Sequence, residues 1–513
     1  MRTLCFTAVL IAGFSFSVYA ATTNVTTVAD LIAAVRDASA NDEIVVMASG
    51  SPYEFSADQK DVVGHLYARV AITLRGETGN PEDVVLVGNS NRILYLHQRG
   101  NTIQGLTFRN GDCSDYEKRS EEPYDQMRGG AIHLRCGNSS SDSTTEIRNC
   151  IFESCKSYQG GGACAIYNHG TGIGGKFYDC VFDGNSTLTI GGGAVFRAAS
   201  MKNCAIKNNY SNTANGGALL GVPEVVGCTI VSNATSSSSG FGGGLFECTL
   251  TGCYVASNYA YRCGAAADSK FYSCTNEANS AGNYSEFGAK STGCYAEGCR
   301  FVNVGTLGRR IFGSSGFSRC RFNKGSFVSG SYAFSQWCAM TNCLVANNSG
   351  FRFFDGLTSA SAMVNCSIVS NAYTMVSGSS QVLTVENCLF NGNQIGGDFI
   401  DVNDKTPSFT LAFNNCILSA ASDAHVPGSN NYNYYSERAM FKPGFVGAEK
   451  DPENPFAITR RSPAFSKAGI VEDWMATATD IRGEGFPRLR NGTVNIGCYQ
   501  CWDVIPGLSV IIR

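Results

Sequence analysis

Charge is scarce in this chain. Only 16% of its 513 residues are Asp, Glu, Lys or Arg, and 39 cationic against 42 anionic side chains leave a formal balance of −3. There is no basic excess and no acidic tail, which argues against a nucleic-acid partner, since that requires a cationic footprint. Prolines number only 12 while 43% of residues are hydrophobic, so the chain can bury a core and disorder is disfavoured. The five histidines, at 65, 97, 133, 169 and 425, share no metal-ligand spacing. An adjacent Asp-Asp pair, His-Glu-x-x-His, Gly-x-Ser-x-Gly and the phosphate-binding P-loop are all missing. Beyond the N-terminus no apolar run reaches the roughly 20 residues of a spanning helix.

Glycine and cysteine, by contrast, are plentiful. The 58 glycines imply frequent turns and few helices, and the 23 cysteines are too dispersed for a small disulfide scaffold. An apolar run from Leu4 to Val18, preceded by Arg2 and ending in Val18-Tyr19-Ala20, reads as a signal peptide over residues 1–20 and implies secretion or the outer cell surface.

Twelve cysteines stand about 24 residues apart, at 150, 180, 204, 228, 253, 274, 299, 320, 343, 366, 388 and 416. A period of that size signals a solenoid. The residue two places later is apolar in eleven of the twelve copies, Asn276 being the exception, so cysteine and partner share one face of a strand. Asn, Asp or Gly precedes the cysteine in ten copies, and Asn follows it by five residues in eight, from Asn185 to Asn393. Each strand is therefore punctuated at both ends by residues that tolerate left-handed backbone. A second element, typified by Gly192-Gly193-Ala194-Val195, recurs from Gly129 to Phe246 and reads as another strand entered through a tight bend.

This pattern predicts an all-β chain: a single-stranded right-handed parallel β-helix of fourteen or fifteen coils. Residues 21–60 are expected to form an N-terminal cap and first strand, 61–424 the helix, and 425–513 a C-terminal cap or sorting module. The N-terminal cap includes a short amphipathic helix from Thr27 to Ser39, opened by the capping pair Thr27 and Asp30.

Paired elements such as Phe182 to Asn185 and Gly192 to Val195 resemble the repeats of the chlamydial polymorphic outer-membrane protein family, which implies a β-helical passenger with adhesive roles. Residues 425–513 depart from that family in showing no series of strands suited to an outer-membrane barrel. The stretches Ser462-Pro463-Ala464, Asp480 to Arg488 and Asn495 to Tyr499 resemble the C-terminal module of secreted β-helix proteins called choice-of-anchor Q proteins, where the module ends the helix. The N-terminal layout is similar to the pectin-lyase-like superfamily, which contains polysaccharide lyases, hydrolases and non-enzymes.

No catalytic set is named from the sequence, and no cofactor-binding or metal site is assigned. Glu153, Asp183 and Lys207, three residues after successive cysteines, are expected to align on the outer face. Paired carboxylates there suit Ca²⁺ or proton abstraction from a uronic-acid polymer, while solvated surface charge is the plainer reading. His133 beside Arg135, and the acids Asp398, Asp401 and Asp404, carry the same double reading. The ladder cysteines are expected as buried thiols, because stacked Cβ vectors run parallel. Cys155, Cys248, Cys294 and Cys338 stand out as disulfide candidates, and Cys498 with Cys501 as a local structural pair.

The function expected is a secreted or surface rod, acting as a monomer, that presents loops such as 113–127 and 234–240 for adhesion or carbohydrate binding, its partner a polysaccharide or a surface glycan or protein. A polysaccharide lyase or glycoside hydrolase working in a groove along the rod, and a structural envelope spacer, are the alternatives.

Overall fold

The computed structural model describes residues 20–501 apart from 57–62, 116–126, 137–143, 169–173, 213–214, 237, 283–284, 289–292, 304–309, 324–325, 358–359, 378–381, 392–409, 419–427, 430, 434–444 and 467–468. The leader segment, the acids at 398, 401 and 404, and most of the 113–127 loop therefore lie outside the described residues.

One coil explains the rest. Lys176–Tyr178 and Val181–Asp183 are strands of two different sheets, and Ser186–Thr189 belongs to a third. A glycine bend then leads to Val195–Phe196, which returns the chain to the first sheet. Every named strand pair is parallel, as in Ile151↔Val181, Val181↔Ala205 and Ala205↔Thr229. Repetition builds a right-handed parallel β-helix whose sheets hold 28, 16 and 7 strands. The 28-stranded sheet consists of two adjoining stacks, bridged where the single strands Arg310–Ser318 and Ser326–Thr341 each pair with members of both.

The residue before each ladder cysteine is left-handed in all twelve coils, with φ between 46° and 63°. Ser273 and Arg319, the two that break the sequence rule, obey the backbone rule as well, with φ of 52° in each. The left-handed residue turns the chain sharply inward, and the cysteine is the first residue around the corner. All twelve cysteines are buried in one column. Leu106 and Val84 hold the same place in the earlier coils, as expected of apolar stand-ins.

A second corner follows each strand of the 16-stranded sheet, and here asparagine forms the column. Asn185, Asn209, Asn233, Asn258 and Asn279 are buried, and each accepts the backbone N–H of the coil before it at 2.9–3.0 Å. Their amides donate to carbonyls such as Phe152 O at 2.9 Å, so both halves of the side chain are satisfied. Cysteine and serine do the same work at other corners: Cys204 N donates to Cys228 Sγ at 3.3 Å, and Cys248 N to Ser269 Oγ at 3.1 Å. The shared physical requirement is an acceptor for an N–H that the bend has taken out of the sheet.

The same logic revises the disulfide expectation. Cys155 occupies the asparagine column, its N–H bonded to Asn185 Oδ1 at 2.9 Å. Cys248, Cys294 and Cys338 alternate in one column with Ser269, Ser315 and Ser361, so their vertical neighbours carry no sulfur. All four are buried free thiols. Like residues two coils apart are about 10 Å distant, beyond disulfide reach.

The tandem glycines have separate causes. Gly192 is left-handed at φ 69°, whereas a Cβ on Gly193 would sit 2.1 Å from the carbonyl oxygen of Gly217 in the next coil. The first permits the bend and the second permits the stacking. Inside, phenylalanines stack at the coil spacing: Phe152 lies 4.8 Å from Phe182 and Phe301 4.8 Å from Phe322, with nearly parallel rings.

A helix, α1 (Val28–Asp37), buries Leu31 and Val35 against the first strands, and the Thr27 side chain accepts the Asp30 N–H. At the other terminus, residues 445–501 fold back along the flank of the last coils. Ala457, Ile458, Ile481, Ile496 and Tyr499 pack against Leu344, Leu389 and Ile417. Hydrogen bonds from Arg321 to Asn454 Oδ1 (2.9 Å), Cys498 N to Ser367 Oγ (3.0 Å) and Gly497 N to Asn387 O (2.7 Å) fasten this clamp laterally.

Candidate functional site

The acidic column aligns as its spacing requires but is not a catalytic arrangement. Glu153, Asp183 and Lys207 occupy consecutive coils, and Arg109 completes the column on the other side of Glu153. Each carboxylate is paired with a cation: Glu153 with Arg109, and Asp183 with Lys207 at 3.1 Å. Asn208 also donates to Asp183 at 2.8 Å. Neutralised in this way and largely solvated, the column is an ordinary surface charge ladder. Among the described residues no three His, Cys, Asp or Glu side chains converge as metal ligands.

His133 is fully buried, stacked on Tyr95 with ring centroids 5.0 Å apart. Burial, with Arg92, Arg128 and Arg135 nearby, holds its pKa well below the usual imidazole range. Cys498 and Cys501 are buried within the clamp, and burial raises the Cys498 thiol to about 12, which leaves it an inert structural residue.

A different place collects chemistry. Where the clamp meets the long sheet there is a groove of about 710 Å³. Its floor follows from the register. Down one outward column the residues run Lys270, Tyr295, Gly316 and Ala339, and down the next Tyr272, Glu297, Ser318 and Thr341. Tyr295 and Glu297 give way in the next two coils to the small residues Gly316, Ala339, Ser318 and Thr341, and the surface hollows. A Cβ on Gly316 would lie 3.4 Å from the Tyr295 ring and 3.5 Å from the Trp337 ring, so both aromatics flank an almost bare backbone.

The walls come from distant parts of the chain. Trp337 is 38% exposed and Tyr295 36%. Trp474 stands opposite on the clamp, its indole N–H held by Glu472. Arg319, the left-handed corner residue, pairs with Glu297 and donates to Thr479 Oγ1 at 2.9 Å, tying floor to clamp. Asn342 donates to the Thr479 carbonyl at 3.1 Å. Tyr295 donates to Glu297 at 3.2 Å, and burial, then the Glu297 charge, push its phenol up to about 12.

Glu297 is the one carboxylate among the described lining residues, and it is engaged by both Arg319 and Tyr295. Glycosidic hydrolysis ordinarily uses two carboxyl groups in different protonation states, and the groove does not offer that pair. It offers aromatic surface, hydroxyls and one ion pair, the composition of a recognition site.

Sequence reading missed this groove because its aromatic walls lie 137 residues apart, at Trp337 and Trp474. No motif joins them: Trp337 stands in Phe334-Ser-Gln-Trp-Cys-Ala-Met340 and Trp474 in Val471-Glu-Asp-Trp-Met-Ala476.

No protein-family model matches the sequence, and no curated protein matches it at a significant level. Among solved structures, pectate lyase Pel9A aligns with 93% of this chain and 100% of its own at 12% identity and a TM-score of 0.26. The A-module of the Azotobacter vinelandii mannuronan C-5 epimerase AlgE4 aligns with 79% of this chain and 92% of its own, at 8% identity and a TM-score of 0.25. The PL6 family alginate lyase AlyGC aligns with 80% of this chain and 100% of its own, at 9% identity and a TM-score of 0.17. These superpositions are too loose to transfer the role of any residue, and the fold rests on the strand register itself.

Proposed function

We propose that this protein is a carbohydrate-binding rod of the secreted or cell-surface kind, and that the flank groove is where it holds its ligand. The observation that carries the reading is the meeting of Trp337, Trp474 and Tyr295 around the bare backbone of Gly316 and Ala339. Sugar rings present apolar C–H faces and equatorial hydroxyls. Indole and phenol rings complement the former, and Arg319, Glu297, Ser318 and Thr341 supply donors and acceptors for the latter. The leader-like N-terminus and the resemblance of the repeats to adhesive passengers favour display outside the cell.

Glycan-array binding followed by calorimetry tests this. Trp337→Ala and Trp474→Ala are each expected to weaken binding at least tenfold with unchanged circular dichroism. Unchanged affinity in both variants, or release of reducing ends or unsaturated products by the wild-type protein, would overturn it.

A further inference from the structure

The outward face of the first coils carries a cluster unlike the groove. Leu66–Ala68, Leu94–Leu96 and Ile132–Leu134 stack in register, which puts Tyr67, Tyr95 and His133 in one outward column. Two residues further along each coil, on the same face, come Arg69, His97 and Arg135. The Arg69 guanidinium lies 5.2 Å from the Tyr67 ring centre, and Tyr67 Oη approaches His97 Nδ1 at 3.4 Å.

Among the described residues this cluster has no acidic counterpart. Neither Arg69 nor Arg135 has an ion-pair partner among the described residues, whereas Arg75 pairs with Glu43 and Arg148 with Glu146. The charges acting on His97 come from Arg135 and Arg69, and those on His133 from Arg92, Arg128 and Arg135. Beneath the strip His133 is fully buried, and neither ring nitrogen makes a hydrogen bond of ordinary geometry. Like charges set close together on one face cost stability unless something neutralises them. In a chain of net charge −3, stacking Arg69, His97 and Arg135 on one face makes this strip locally basic.

We infer that Arg69, His97 and Arg135 form an anion-binding strip that takes the acidic groups of a carboxylated or sulfated glycan lying along the rod. Arg69 and Arg135 are two coils apart, about 10 Å, and each guanidinium is free to grip a separate acidic group in the two-pronged manner that suits carboxylate and sulfate. Nucleic acid fits less well. Tyr95 is buried and Tyr67 is covered by Arg69, so no open ring is presented on which a base can stack. The strip is separate from the flank groove, and either site can fail without the other.

The test is binding of the full chain to polygalacturonate, to a sulfated glycan, to inorganic sulfate and to single-stranded DNA, measured at low and physiological salt. The expected result is salt-sensitive binding of at least one acidic glycan. Arg69→Gln with Arg135→Gln should weaken it at least tenfold, while Arg69→Lys with Arg135→Lys keeps part of it. Lys202→Gln, at an exposed cation of another outward column, should leave it unchanged, which ties the effect to this strip. If the glutamine pair binds the glycans as wild type does, if neither glycan binds, or if DNA or free sulfate binds as tightly as the glycans, the inference fails. Should the glutamine pair lose its circular dichroism signature, the lysine pair decides instead: affinity equal to wild type with unchanged salt dependence overturns the bidentate grip.

Discussion

The same corner residue lives in two environments. In the coils around residue 200 the left-handed positions Asn149, Asp179 and Asn203 are exposed, and Asn203 reaches only to its neighbour Asp179 at 3.3 Å. In the last coils Asn342, Asn365 and Asn387 have the same backbone angles, within 51–53°, but are buried under the clamp. There the amides hold it in place: Asn387 accepts the Ile470 N–H and donates to the Ile470 carbonyl, both at 2.8 Å. Asparagine suits both sets because it tolerates φ > 0. In the first set Asn149 donates to the Gly79 carbonyl of an earlier coil at 2.7 Å, whereas in the second set the side chains fasten the clamp, and that is where the groove is found.

Replacing both kinds of asparagine with glycine separates the two roles, because glycine keeps the left-handed backbone and removes the amide. Asn387→Gly is expected to cost about 2 kcal/mol, from the two lost hydrogen bonds to the Ile470 backbone. It should also make residues 445–501 sensitive to limited proteolysis. Asn203→Gly should stay within about 0.5 kcal/mol. Equal losses in chemical denaturation would erase the distinction.

A second contrast lies within the inward column. Asn276 sits between Val255 and Phe301, fully buried, with neither amide atom hydrogen-bonded. Asn276→Val should therefore stabilise these coils, by about 1–2 kcal/mol, by removing an unsatisfied polar group. A lower melting temperature would show that the amide has a partner.

Clamp docking should also depend on pH. Glu386, on the long sheet, has its pKa raised by burial and then by Glu472 of the clamp. The folded state thus holds the proton more tightly than the unfolded one, so stability is retained at low pH and falls as pH rises from the ordinary glutamate value through the raised one. Glu386→Gln should flatten that slope, as read from proteolysis of the clamp across pH 4 to 8 (about the range over which a raised carboxyl titrates). A slope of opposite sign would refute the assignment.

The smallest effect is expected in the early coils. Glu153→Ala with Asp183→Ala removes two solvated ion pairs and should change stability by less than about 1 kcal/mol. Ligand binding should not change. Loss of a catalytic activity in this variant would reinstate the acidic column as a working site.

Much of the coil was legible in advance because its constraints are local. A bend every 24 residues or so needs a residue that accepts φ > 0, then an inward side chain, and Asn149-Cys150 or Asn365-Cys366 declare both. The candidate site was not legible, since Tyr295, Trp337 and Trp474 share no spacing. The disulfide expectation for Cys155, Cys248, Cys294 and Cys338 failed for a related reason: distance along the chain does not reveal that serine or asparagine stands above each sulfur.

Backbone chirality, strand alternation and the need to satisfy corner N–H groups act within one coil, and these properties of the sequence by itself determined the solenoid. Which coils face water, which lie beneath residues 445–501, and which charges find partners depend on surfaces meeting across more than a hundred residues. Those outcomes were decided by tertiary packing, because burial and Coulomb energy depend on distance in space.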